Sequence, residues 1–211
     1  MNFKAVIFDM DGVLCDSEPF ICKAAVLMYK EMGVSVNEED FIPFIGAGEN
    51  RYIGGVAEKY GIDIDIETAK RRTYEIYCEI IKGSLKPLRG VHEFIKTAKE
   101  KGYKLAVASS ADLVKVEANL NEINLPFSSF DAVINGLMVE KKKPEPDIFL
   151  MAAEKIGTDI KDCLVCEDAV NGIEAARKAG AGCLGITSSF SAEELKADIH
   201  FACLGDAINI L

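Results

Sequence analysis

The chain of 211 residues carries 24 Lys and Arg against 34 Asp and Glu, a formal net charge of −10, with 49% hydrophobic and 27% charged residues. These proportions suit a folded globular chain and exclude wholesale disorder. The negative excess removes the basic footprint that non-specific nucleic-acid binding and docking on anionic lipid require, yet it leaves room for a phosphorylated small molecule in a locally positive site.

In chain order, Phe3 to Phe8 (FKAVIF) is apolar, rich in aromatic and β-branched residues, and ends at the acidic pair Asp9 and Asp11. It reads as a buried strand. The run is too short for a signal-peptide core, and no apolar stretch of roughly 18 residues follows. The expectation is a cytoplasmic chain with no membrane span. From Ser17 the period turns helical. Residues 19–32 put Phe20, Ala24, Leu27 and Met28 on one face, and Gly33 stops them. Asn37 opens a short helix towards Phe44 with an acidic first turn. Residues 49–60 and 66–81 read as two more helices, without a strand signal between them.

From Leu88 the pattern alternates. Helices are expected at 91–101, 112–121, 147–155 and 171–178, and strands at 104–108, 131–134, 163–166 and 182–186. Strands separated by helices dictate a parallel sheet with right-handed crossovers. The expected architecture is α/β: a Rossmann-like parallel sheet flanked by helices, residues 1–16 and 87–211, interrupted after its first strand by an all-helical domain, residues 17–86.

The seven cysteines are an odd number in a chain too long for a disulfide scaffold, and they read as reduced thiols. Cys163 and Cys166 have CxxC spacing, but they fall in an expected strand, where residues three apart point to opposite faces. No second CxxC is present, and there are only two histidines. Zinc or redox chemistry is therefore not expected.

Ligands of open parallel sheets sit beyond the carboxyl ends of the strands. Here the strands are followed in turn by Asp9 and Asp11, by Ser109 and Ser110, by Lys141-Lys142-Lys143, and by Glu167-Asp168. Each group has an ordinary explanation alone: a turn, a solvated loop, a helix cap. Their coincidence at successive strand ends is the signal. Asp9 and Asp11 are two apart on an extending strand, with Cα atoms roughly 6–7 Å apart. Crowded with Glu167 and Asp168 they repel one another, and a hard divalent cation removes that cost. Oxygen ligands without histidine or thiolate favour Mg²⁺. Ser109, Ser110 and Lys143 are groups that hold phosphoryl oxygens. Asp9 can attack phosphorus, and Asp11 can protonate the leaving oxygen and then activate water.

These stretches resemble the motifs of the haloacid dehalogenase superfamily. Asp9 to Glu18 (DMDGVLCDSE) resembles the first motif, Ser109 the second, Lys143 to Phe149 (KPEPDIF) the third, and Glu167 to Ile173 (EDAVNGI) the fourth. The helical insertion is similar in position to the small cap of the branch that holds β-phosphoglucomutase and sugar-phosphate phosphatases. The resemblance implies Asp9 as nucleophile and Asp11 as general acid and base. It implies Mg²⁺ held by Asp9, the backbone carbonyl of Asp11, Asp168 and Glu167, with the phosphate held by Ser109 and Lys143. It also implies a cap that closes over a small phosphorylated metabolite, and a monomer.

Two positions depart from the mutase pattern. Ile21 stands where many relatives carry histidine, and Glu49 where the mutase carries the arginine that grips its second phosphate. Hydrolysis is therefore expected over mutase activity, and a binding module with weak catalysis is a third reading. Specificity is expected in the cap loop, from Gly46, Gly48, Glu49 and Arg51, although charges such as Arg51, Lys70, Arg71 and Arg72 also suit an exposed helix face.

Overall fold

The computed structural model describes residues 3–45 and 48–211. The chain divides into two compact units, Met1–Asp16 with Lys86–Leu211, and Ser17–Leu85.

The first unit is a six-stranded sheet: β1 Ala5–Phe8, β2 Lys104–Ala108, β3 Ala132–Ile134, β4 Cys163–Glu167, β5 Gly182–Ile186 and β6 Ile199–Phe201. Its order is β3-β2-β1-β4-β5-β6, and every pairing is parallel. All four residues of β1 are buried, because helices cover both faces of such a sheet, among them, numbered in chain order, α4 Val91–Glu100 and α6 Asp147–Lys155. Ala5 and Ile7 join a core with Phe149, Ala152, Ile173 and Ala176. On the alternate face the Phe8 ring meets Phe94 edge-on at 5.9 Å and Phe130 at 6.4 Å.

The chain moves from β1 to β2 on one side, and β4 lies on the other. The two sides of β1 are the place where the strand order reverses. Register fixes what stands there: Phe8 pairs with Val107 of β2 and with Cys166 of β4. The residues just past these positions are brought together by backbone geometry alone. The sixth strand lies outside the four downstream strands expected from the sequence. It is three half-buried residues at the sheet edge, too short to print a period.

The second unit holds two α-helices expected from the sequence, α2 Glu49–Tyr60 and α3 Ile66–Ile80, after α1 Glu18–Glu31. The short helix expected after Asn37 is present over Glu38–Phe44 and is of the 3₁₀ kind. Pro43 within it has no amide hydrogen to continue an α-helical ladder. Phe41 stacks between Tyr29 and Tyr52, at 6.2 and 4.9 Å. Among the described residues no helix is long and apolar enough to cross a membrane.

Candidate active site

Asp9 continues the ladder past β1: its amide donates to the carbonyl of Cys166 at 2.9 Å. That places its carboxylate beside Glu167, the last residue of β4, and Asp168. The three buried acids each put an oxygen within 4.8 Å of the others. Lys143 enters from the loop after β3. Its ammonium lies 2.5 Å from Asp9 Oδ1 and 2.5 Å from Glu167 Oε1, with the side chain 10% exposed. It also donates to the carbonyl of Ala108 at 3.4 Å, the last residue of β2, and its Nζ lies 4.9 Å from the centre of the Phe149 ring. Lys143 therefore ties the ends of three strands together. The peptide to Pro144 is cis.

The two halves of the fourth motif have different surroundings. Glu167 is fixed on both oxygens: Oε1 accepts from Lys143, and Oε2 accepts from the amides of Asp168 and Ala169 at 3.0 and 2.9 Å. Gly172 opens space for that carboxylate, since a Cβ there would come within 1.9 Å of Oε1. Asp168 accepts from the hydroxyls of Ser188, at 3.4 Å, and Ser189. Gly12 turns with φ +71 directly against it, and a Cβ on Gly12 would overlap Asp168 Oδ2 at 1.9 Å. Only glycine suits both the angle and the approach.

Burial is the first cause that pushes the Asp9 carboxyl well above the usual range. Repulsion from Glu167 and Asp168 adds to it, while Lys143 works against it. Burial likewise lifts Asp168 to about 7, with Glu167 adding to the rise and the Ser189 hydrogen bond opposing it. Burial disfavours the Lys143 ammonium, but Asp9 and Glu167 outweigh it and its pKa is raised.

Ser109 is buried at the end of β2. Its amide donates to Ile134 at 3.0 Å, and its hydroxyl oxygen accepts from the Ala111 amide at 3.2 Å. Ser110 beside it is half-buried. Asp11 is not one of the three clustered carboxylates, although its charge is near enough to Asp168 to help raise that carboxyl's pKa. Strand geometry ends at Phe8, so the period of two does not carry through to Asp11, and its Oδ2 takes the Lys115 ammonium at 3.0 Å. The side chain of Asp11 is not among the clustered ligand oxygens; the backbone carbonyl implied by the resemblance is the remaining route to a metal.

In the second unit, Gly46 lies outside the described residues. Gly48 immediately precedes α2 and Glu49 begins it. Arg51 pairs with both oxygens of Glu58, at 2.9 and 2.7 Å, and lies over the Phe44 ring at 5.1 Å. Lys70 pairs with Glu67, and Arg72 with Glu31 and Glu75.

Sequence reasoning missed Ser188, Ser189 and Lys115. The serines follow β5 at the same sheet edge, so the strand-end rule that found the others would have found them. Lys115 lies on the helix after β2, α5 Leu113–Glu122. Its signal is a pair of polar residues, Lys115 and Asn119, at helical spacing beside Val116 and Leu120. All seven cysteines are free, and Cys163 and Cys166 are buried in β4.

Compared with known proteins, the sequence matches the pattern of haloacid dehalogenase-like hydrolases over residues 6–186. It is 44% identical over 201 residues to Protein SUPPRESSOR OF QUENCHING 1, chloroplastic, of Arabidopsis thaliana, covering 92% of this chain and 19% of that protein. This chain thus spans a small part of that relative. It is 32% identical over 177 residues to the Phosphorylated carbohydrates phosphatase of Thermotoga maritima, covering 84% of this chain and 82% of that protein. Its structure is similar to that of CbbY from Rhodobacter sphaeroides in complex with phosphate, with TM-score 0.89 at 25% identity over 99% of this chain and 100% of that one.

Proposed function

We propose, since the chain belongs to the haloacid dehalogenase-like hydrolase family, that it is a Mg²⁺-dependent phosphatase of small phosphorylated metabolites, sugar phosphates foremost, acting through an aspartyl phosphate on Asp9. The observation that carries this reading is the charge balance where β1 meets β4. Three buried carboxyl groups face one ammonium, a formal surplus of two negative charges when all are ionised, in a site where unpaired charge is costly. The relative named for phosphorylated carbohydrates supports the choice of substrate class.

The donors fit a divalent cation: they are oxygens only, buried and converging. Asp9, Asp168 and the carbonyl of Asp11 would hold it, and Glu167, already fixed on both oxygens, is better suited to orienting Lys143. When bound, Mg²⁺ supplies positive charge next to the phosphoryl oxygens.

The chain's own groups do the rest. Asp9 reacts as a carboxylate, the form Lys143 favours. Its oxygen attacks phosphorus, the ester P–O bond breaks, and the electron pair leaves with the alcohol oxygen. Asp11 gives its proton to that oxygen. Asp11, now ionised, takes a proton from water as the water oxygen attacks phosphorus, which releases inorganic phosphate and restores Asp9. Ser109, Ser110 and Lys143 hold the phosphoryl oxygens throughout.

The purified chain with Mg²⁺ is expected to release phosphate from a panel of phosphomonoesters, and Asp9→Asn to lower kcat by more than about a thousandfold. No release from any ester, or an unchanged rate in Asp9→Asn, overturns the reading. Given β-glucose 1-phosphate with a trace of bisphosphate, the chain is expected to yield free phosphate; accumulation of glucose 6-phosphate instead would establish mutase activity.

A further inference from the structure

We infer that Lys115 is a positioning residue for the proton transfer made by Asp11, an inference that rests on the phosphatase reading above. The helix α5 presents two polar side chains, one turn apart, to the loop that follows β1. The Lys115 ammonium, on a side chain only 5% exposed, lies 3.0 Å from Asp11 Oδ2. The fully buried Asn119 donates its amide to the sulfur of Met10 at 3.2 Å. Met10 is itself buried, and its carbonyl accepts from the amides of Val13, Leu14 and Cys15. The backbone of the loop is thus held by its own turn. Asn119 seats Met10, and Lys115 fixes the carboxylate of Asp11.

Burying a lysine on a helix face that also carries Val116 and Leu120 is costly unless the charge is paired. An apolar residue would fill the position with less penalty, so packing alone does not account for it. What Lys115 adds is a defined direction for the Asp11 carboxyl: its ammonium donates to Oδ2, which leaves Oδ1 to carry the proton given to the leaving oxygen. A proton donor must lie within hydrogen-bond reach of the leaving oxygen at the moment the P–O bond breaks. Asp11 lies outside the cluster held by Lys143, so that cation does not orient it.

The test compares two esters of the same shape whose leaving groups differ in basicity. p-Nitrophenyl phosphate releases a phenoxide that needs little protonation, and phenyl phosphate releases one that needs more. Lys115→Met is expected to lower kcat on phenyl phosphate on the order of tenfold more than on p-nitrophenyl phosphate, a fraction of what general acid catalysis supplies. In an Asp11→Asn background the same change is expected to cost nothing further, because Lys115 acts through Asp11. Lys115→Arg is expected to keep the wild-type ratio of the two rates, and it gives the comparison if the methionine variant does not fold.

Equal losses on both esters in Lys115→Met, an additive loss in the double variant, or an Arg variant that shows the full imbalance would each overturn the role of Lys115. A wild-type chain inactive on both esters, or an Asp11→Asn variant with no imbalance, would instead overturn the phosphatase reading or the acid role of Asp11, and the inference with it.

Discussion

At the scale of single residues, Gly172 shows which of two opposed effects wins. It sits inside the helix after β4, α7 Val170–Ala179, where exchange for alanine gains about 1 kcal/mol of helix propensity. A Cβ there would lie 1.9 Å from both Cδ and Oε1 of Glu167. The end of a flexible side chain could swing away. Glu167 cannot do so freely, because it is buried and fixed by Lys143 and two backbone amides. Overpacking of this kind costs about 1–3 kcal/mol, which exceeds the propensity gain. Gly172→Ala is therefore expected to be less stable in urea unfolding and to release phosphate more slowly, since Glu167 can no longer hold Lys143 against Asp9. A variant more stable than wild type with an unchanged rate would contradict this account.

At the scale of elements, Asp40 joins the 3₁₀ turn to the end of α2. Its carboxylate accepts from Lys59 at 2.5 Å and from the Tyr60 hydroxyl at 2.6 Å, and it receives the Asn37 amide at 2.8 Å. The bond from Lys59 first, then Tyr60 and Asn37, pull its pKa down from the ordinary 3.8 to about 2. A lowered acid contributes stability that is complete above its unfolded value and is lost as pH falls towards the folded one. The melting temperature is expected to fall between about pH 4 and pH 2, and Asp40→Asn to show a smaller fall over that window. Identical pH profiles would sink the assignment. The strand–helix alternation was legible because buried strands and amphipathic helices print different periods on the sequence. The edge strand Ile199–Phe201 and the four-residue helix α8 Ala192–Leu195 were not, being shorter than any period. In the site, the meeting of Asp9, Glu167 and Asp168 was legible because register carries strand ends to one edge, whereas Lys143 reaches them from the loop after β3 and was legible from the stretch Lys143 to Phe149. Lys115 was not, because its partner lies 104 residues earlier and meets it only after α5 packs on the sheet.

At the scale of the whole molecule, the net charge of −10 is of two physical kinds. Exposed charges such as those of Arg72 and Glu31 are screened by salt and contribute little. The surplus at Asp9, Glu167 and Asp168 is buried, where salt screens it far less, so the metal-free fold meets the repulsion by holding protons on raised carboxyls, and a bound cation removes it with those carboxyls ionised. Mg²⁺ is therefore expected to raise the melting temperature beyond the effect of NaCl at matched ionic strength. Saturation at a hundred times its Kd corresponds to about 2.7 kcal/mol. Asp168→Asn separates this from general screening, because it removes one crowded charge and one ligand together. Without metal the variant is expected to be at least as stable as wild type, and its response to Mg²⁺ to shrink towards that of NaCl. Calorimetric scans of both proteins, with Mg²⁺ and with a chelator, measure all four states. Equal Mg²⁺ shifts in the two proteins would mean that the cation binds elsewhere and that the buried carboxylates are balanced without it.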